Sequence, residues 1–324
     1  MSFAFNNPDK LSPATASRIL EVAASMGYRP HPVARMLTQR HTMSIGVVTP
    51  QSLAMAFANR FFGQLSEGIA LVAEEAGYGL AFIAPERGSL SAALDRATVD
   101  GLLAIGLPAT YPEIDRLRSA GIPLVQVDST ALPDSPSIVV DDEGGAYSSA
   151  AHILDLGHRD VLTVVIAPGA PFPPGPDHGV GPDRLRGYQR AFVDRGLEFP
   201  RAGIIEATPS IDAGARALTE AWTAGMRPTA VIAMSDAIAF GVMAGARSLG
   251  LRVPADLSII GFDDVDMAVL TDPPLTTVNQ PVRGKGEAAM RLLLDLVAHR
   301  DVDPLQVRTM PTRLIVRGST GPPP

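Results

Sequence analysis

A chain of 324 residues is long enough for two compact domains with a sizeable core. Its 46% hydrophobic and 19% charged residues argue against disorder, no run approaches the ~18 apolar residues of a membrane helix, and no basic-then-apolar leader opens it, so a cytoplasmic protein is expected. The absence of cysteine excludes disulfides and thiolate chemistry, while six scattered histidines without HxxxH or HxH spacing argue against zinc; no cofactor is expected. The net charge of −7 is unevenly spread, because residues 1–42 carry five basic side chains (Lys10, Arg18, Arg29, Arg35, Arg40) against Asp9 and Glu21. A head of net +3 therefore precedes an acidic body of −10.

In chain order, Ser12-Pro13 has the pattern of a helix start, with a hydroxyl at N-cap and proline at N1. Ala16, Ile19, Val22, Ala23 and Met26 follow at helical spacing, and Gly27 stands where a helix closes. Pro30 and Pro32 then interrupt the chain before "VARMLTQR", which has the composition of a short helix. From Ser44 the pattern becomes an alternation of "SIGVV", a helix over 61–76, "YGLAFIA", a short helix near 90–97, "GLLAIG", a helix near 111–119 and "IPLVQV". A second series begins near Gly144, with helices predicted over 144–156, 183–195, 211–224 and 236–248 between "VLTVVIA", "GIIEA", "AVIAM" and "LSIIGF". Continuous apolar strands bounded by Gly or Pro are the mark of parallel strands covered on both faces, and such alternation implies doubly wound sheets. Two units of similar size predict two lobes, with a ligand cleft at the strand C-termini.

Seven fragments in a fixed order carry a resemblance: "VDGLLAIG", "GIPLVQVD", "DDEGGAYSSAAHILDLGHRDV", "DRLRGYQRAF", "PTAVIAMSDAIAFGVMAGARSLGLRVPADLSIIGFDDVDMA", "PPLTTVNQP" and "RLIVRGST". Together with "NNPDKLSPATASRILEVAASMGYRPHPVARML" they resemble bacterial repressors of the LacI/GalR (lactose/galactose repressor) family from Phe5 to Thr320. The resemblance implies a two-lobed, periplasmic-binding-protein-like (type I) α/β core of doubly wound parallel sheets, preceded by a helical DNA-binding segment. The implied bounds are 1–43 for the helix-turn-helix remnant plus hinge helix, and 44–324 for the effector-binding core. Within the core, the N-lobe is expected over 44–155 and 283–308 and the C-lobe over 156–282 and 309–324.

The family's DNA-reading module has three helices, and "FAFNN" matches only the last turn of its recognition helix. Residues 1 to about 43 are accordingly expected to pack poorly or to dock unusually. Met1 stands where the family pattern has valine, which suggests a valine codon taken for a start and a natural chain about twenty residues longer. The rival reading is a headless regulator. In the family, paired hinge helices push a leucine into the minor groove; Leu37 matches that wedge, with Ala34 beside it and Arg35 facing phosphate. Lys10, Arg18, Arg29 and Arg40 would add phosphate contacts that give salt-dependent affinity without sequence selection. The plainer alternative is a linker whose Val33, Met36 and Leu37 pack on the core.

The resemblance also implies effector contacts. Arg184, three residues before Gly187, matches a cleft arginine whose fork of donors suits paired hydroxyls or a carboxylate, whereas Arg186 is expected in solvent. Asp263, ending an apolar strand, would accept from sugar hydroxyls, with Asp264 as a helix N-cap or the reverse. Gln280 matches a glutamine at a crossing between lobes, and Ser235 a polar cleft residue, with Asp236 as the cap of its helix. Asn59, Phe61 and Phe62 resemble the family's N-lobe rim; adjacent helical residues cannot face one way, so Phe61 is assigned to the pocket and Phe62 to the core. Asp141 is either a cleft carboxylate or the N-cap of the next helix. An aromatic platform common in the family is replaced by Pro209, and the Pro/Gly-rich loop 167–183 brings Phe172 and His178 as a substitute or a mere cover.

The expected function is a ligand-responsive repressor that binds a small polar effector, a sugar or sugar derivative, and couples it to operator DNA as a homodimer. The arginine and the carboxylate are expected on opposite walls of the cleft. A headless or periplasmic-type solute-binding protein is the alternative, and no nucleophile, metal or phosphate-loop constellation supports an enzyme.

Overall fold

The computed structural model describes residues 4, 10–26, 41–85, 89–107, 111, 113–119, 121–129, 132–167, 180–200 and 203–324. The chain divides into two units, Met1–Met43 and Ser44–Pro324. In the first, helix α1 (Pro13–Ser25) begins as its sequence dictates, with the Ser12 hydroxyl accepting from the Thr15 amide and proline at N1. Only Ala16 and Ala23 of this helix are buried. Leu20, Val22 and Met26 stand exposed.

The second unit holds two six-stranded sheets. Its first half runs β1 (Ser44–Val48), α2 (Leu53–Ala58), α3 (Arg60–Glu75), β2 (Gly79–Ile83), α4 (Leu90–Leu94), β3 (Gly101–Ile105), α5 (Ile114–Ser119), β4 (Leu124–Val127) and β5 (Ser137–Val140). It continues through α6 (Asp142–Asp155), β6 (Val161–Ile166), α7 (Val180–Val193), β7 (Ile204–Ala207), α8 (Ile211–Thr223), β8 (Ala230–Ala233), α9 (Asp236–Ser248) and β9 (Ser258–Asp263). A 3₁₀ turn (Asp266–Val269), β10 (Thr276–Asn279), α10 (Val282–Val297), β11 (Val307–Met310) and β12 (Arg313–Ile315) complete it. The N-lobe sheet has the order β11-β5-β4-β3-β1-β2 and the C-lobe sheet β12-β10-β9-β8-β6-β7. All pairings are parallel except the antiparallel β12 on β10. In each sheet the strand order reverses beside the first strand, between β1 and β3 and between β6 and β8, and such reversals open a crevice at the strand C-termini. No helix among the described residues is long and apolar enough to cross a membrane.

The apolar strands are covered on both faces, which is why they read as continuous hydrophobic runs: all five residues of β3 are buried. In the N-lobe, Ile45, Val47 and Leu103 pack against Leu65 and Ile69 of α3 and Met290 and Leu293 of α10. In the C-lobe, one sheet face packs on α8 and α9 and the other, with Ile232, Ile260 and Phe262, on Tyr188 and Phe192 of α7. Helix pairs approach closely through glycine. A Cβ on Gly187 would lie 2.2 Å from the carbonyl oxygen of Glu143, so only glycine lets α7 meet α6 there.

The lobe boundary expected near residue 155 is corrected by the packing. Helix α6 buries Ala146, Ala150 and Ile153 in the C-lobe core with Tyr188 and Phe192, so the chain leaves the N-lobe after β5, at residues 140–142. It returns between β10 and α10 and crosses a third time between β11 and β12. The helices expected over 144–156 and 183–195 begin earlier, at Asp142 and Val180. Strands β5 and β10 and the terminal strands β11 and β12 were not predicted.

Candidate functional site

The inter-lobe crevice that the sheet topology places at the strand C-termini falls where β9 and β4 end and where β10 crosses into α10. On the C-lobe side, Asp263 and Asp264 leave β9 with φ of 134° and 57°, left-handed values that cost an L residue of order 1–3 kcal/mol each. That turn sends the two carboxylates apart. Asp264 accepts from Asn279 Nδ2 (3.0 Å) and Arg317 Nη2 (2.6 Å), whereas Asp263, buried, turns toward Arg184 and Gln280. The Arg184 guanidinium lies 3.6 Å from the centre of the Phe262 ring. Its Nε donates to Asp142 Oδ1 at 2.7 Å, one Nη donates to the Met234 carbonyl, and that same nitrogen stands 3.9 Å from Asp263 Oδ1.

The N-lobe side holds a second buried cation. Lys285 on α10 is 0% exposed; its Nζ donates to both carboxylate oxygens of Asp128 at 2.7 Å and to Gln280 Oε1 at 2.6 Å, 4.8 Å from the centre of the Phe61 ring. The other end of the Gln280 amide donates through Nε2 to Asp263 Oδ1 at 2.6 Å. With a cation at one end and a carboxylate at the other, the amide can be oriented only one way. A continuous polar chain thus runs Asp142, Arg184, Asp263, Gln280, Lys285, Asp128 from one lobe to the other. Phe61 packs against the cores of both lobes. At the rim, Arg60 reaches across to Asp266 with its Nε 3.1 Å from Oδ1 and a second bond from Nη2.

Burial sets the protonation. Desolvation pushes the Asp263 carboxyl up to about 6 against the pull of Arg184, and Asp236 up to about 8, reinforced by the charge of Asp263. Asp142 is also raised by burial despite Arg184. For Arg184, burial alone would lower the pKa, but Asp142 and Asp263 more than offset it and the guanidinium stays charged.

Of the residues expected here from sequence, the structure brings Arg184, Asp263, Gln280 and Phe61 together. It places four others differently. Asp141 is exposed and caps α6, accepting from the Gly144 amide at 2.9 Å; the carboxylate that reaches Arg184 belongs to its neighbour Asp142. Ser235 caps α9 through the Ile238 amide, and Asp236 is not a cap but a buried acceptor for Val265 N (2.9 Å) and Thr277 Oγ1 (2.5 Å). Asp264 caps nothing and holds Arg317. Arg184 and Asp263 stand on the same wall rather than opposite ones; the facing wall is Lys285 with Asp128. Phe62 is in the core against Phe57 and Phe82, Asn59 caps α3, and Arg186 pairs with Asp183 at a partly exposed site. Pro209 precedes the Ser210 cap of α8. Phe172 and His178, and with them Arg29, Ala34, Arg35 and Leu37, lie outside the described residues; Lys10 is exposed.

Asp128, Asp142 and Lys285 were missed. Asp128 directly follows the apolar strand β4, much as Asp263 closes β9, and carries the same sequence signal. Lys285 occupies the inward stripe of Val282, Gly286, Ala289, Met290 and Leu293, where a charge is out of place unless it meets a partner.

Residues 150–320 match a periplasmic binding protein-like domain. The chain is 30% identical over 322 residues to catabolite control protein A of Priestia megaterium, covering 97% of this chain and 93% of that protein. Its fold is similar to a lac repressor dimer bound to operator and an anti-inducer, with a TM-score of 0.80 and 25% identity over 99% of this chain and 94% of that one. A LacI family transcriptional regulator from Enterococcus faecium with bound ribose gives a TM-score of 0.73 and 26% identity over 86% of this chain and 99% of that one. A regulator-like sequence along nearly its whole length, a two-sheet core and a polar crevice between the lobes lead to one assignment: the chain belongs to the LacI family of transcription regulators.

Proposed function

We propose that this protein is a cytoplasmic transcription repressor that binds a sugar or sugar derivative between its lobes and, as a homodimer, transmits that occupancy to operator DNA. The observation that carries the reading is the Gln280 bridge between Asp263 of one lobe and Lys285 of the other. A guest with hydroxyls can exchange with these bonds one for one, and it shifts the lobes only insofar as it binds one lobe arrangement more tightly. The operator on the lac repressor dimer and the ribose on the Enterococcus faecium regulator support the same assignment of partners. On the DNA side, Leu37 is the minor-groove wedge, with Ala34 and Arg35 on the same hinge and Arg29 and Lys10 toward phosphates. Arg184, Asp263, Gln280 and Phe61 contact the effector, joined by Asp128 and Lys285.

The test is footprinting of the DNA upstream of the protein's own gene, with and without a panel of sugars, alongside thermal melts with the same panel. A sugar that raises the melting temperature and changes protection is the expected result. Protection indifferent to every sugar that binds would overturn the coupling, and melts indifferent to all of them the sugar site.

A further inference from the structure

We propose that the crevice selects an uncharged, polyhydroxylated effector against sugar acids and phosphorylated sugars, and that Lys285 with Asp128 is the pair that sets this selection. The inference rests on the sugar reading above and goes beyond it by fixing the charge of the guest.

Arginine and lysine in a sugar site would ordinarily invite a carboxylate or phosphate. Here each cation already has its anion. Arg184 is held by Asp142 and faces Asp263, and Lys285 is held by both oxygens of Asp128. The next cations outward are engaged too, Arg60 with Asp266 and Arg317 with Asp264. Along the chain of polar contacts, the carboxyls Asp128, Asp142 and Asp263 outnumber the two buried cations Arg184 and Lys285 among the described residues. An entering anion must therefore displace a buried carboxylate from its cation and leave that carboxylate unpaired, in a field already negative. A neutral hydroxyl meets no such conflict, since it accepts from the ammonium and donates to the carboxylate at once. Lys285 is what makes the N-lobe wall neutral overall: without it Asp128 would stand as a bare anion, and the wall would favour an amine. Selection of this kind works by a built-in penalty against the wrong guest as much as by attraction of the right one.

The experiment compares probes that share a skeleton and differ in charge: D-ribose with D-ribose 5-phosphate, and D-glucose with D-gluconate and D-glucosamine, by calorimetry at pH 7 with thermal melts as a second readout. In the wild-type protein the neutral member of the preferred set binds at least tenfold more tightly than its anionic counterpart. Asp128→Asn, which frees the ammonium, narrows that gap by tenfold or more; Lys285→Met instead strengthens glucosamine relative to glucose. An anionic member that matches or exceeds its neutral counterpart on the wild-type protein overturns the proposal and leaves the sugar reading standing, and this comparison needs no variant to fold. An unchanged ratio in a folded Asp128→Asn protein overturns it as well. If folded wild-type protein binds no member of either set, the sugar reading itself fails and the proposal falls with it.

Discussion

The ammonium of Lys285 lies 2.7 Å from each carboxylate oxygen of Asp128, in a pair that is buried on the lysine side completely. Removing one partner of such a pair leaves the other charge without water or counter-ion, a loss of about 3–5 kcal/mol. Lys285→Met is expected to lower the unfolding free energy by that amount in urea titrations. Lys285→Met/Asp128→Asn is expected to recover most of it, since asparagine tolerates the left-handed φ of 53° at position 128. Equal stability of the single variant and the wild type would refute the pairing.

Asp236 yields a prediction about pH. In the unfolded chain its carboxyl ionises near ~4. In the folded protein burial, aided by Asp263, holds the proton until about 8. The folded state therefore binds more protons than the unfolded state across that window, and stability falls as pH rises through it. On the acid side His158 and His152 act the other way: burial holds both rings neutral, so the unfolded chain takes up protons below ~6.5 and stability is lost as pH falls. Asp236→Asn is expected to flatten the decline between pH 6.5 and 8 in melts recorded at constant ionic strength; a decline of the same slope in the variant would rule out Asp236 as its source.

Ser235 is expected to matter for α9 rather than for the crevice. Its hydroxyl accepts from the Ile238 amide, and Ser235→Ala should cost about 1 kcal/mol of unfolding free energy. A change too small to measure would show that the cap is dispensable.

Gly187 marks where α7 presses on α6. Gly187→Ala places a methyl 2.2 Å from the Glu143 carbonyl and is expected to cost roughly 1–3 kcal/mol as the helices move apart. A thermal melt unchanged from wild type would mean that the two helices part without resistance.

The strands were legible in the sequence because burial on both faces leaves an unbroken apolar run, as in β3 and β8. β12 was not, because a partly exposed strand of three residues at a sheet edge carries no such run. The same physics separates the site residues. Asp263 and Arg184 announced themselves through local pattern and family resemblance, while the choice between Asp141 and Asp142, or between Ser235 and Asp236, depends on which of two adjacent side chains the first helical turn aims inward. Adjacent residues on a helix diverge by about 100°, so a register error of one exchanges a cap for a buried ligand. Lys285 needed its distant partner, because a lysine on an apolar stripe has no visible reason to be there until β4 and α10 are brought together.

The three crossings between the lobes bear on how the protein is made. The N-lobe core depends on α10, which supplies Met290 and Leu293 against Leu65 and Ile69, yet the ribosome delivers α10 only after the C-lobe segment from α6 to β10 has emerged. Neither lobe is a continuous stretch that folds and waits for the other. The first-made half must keep an incompletely covered sheet face until late in synthesis, and a nascent chain stalled before residue 282 would expose Leu65 and Ile69 to any neighbouring chain.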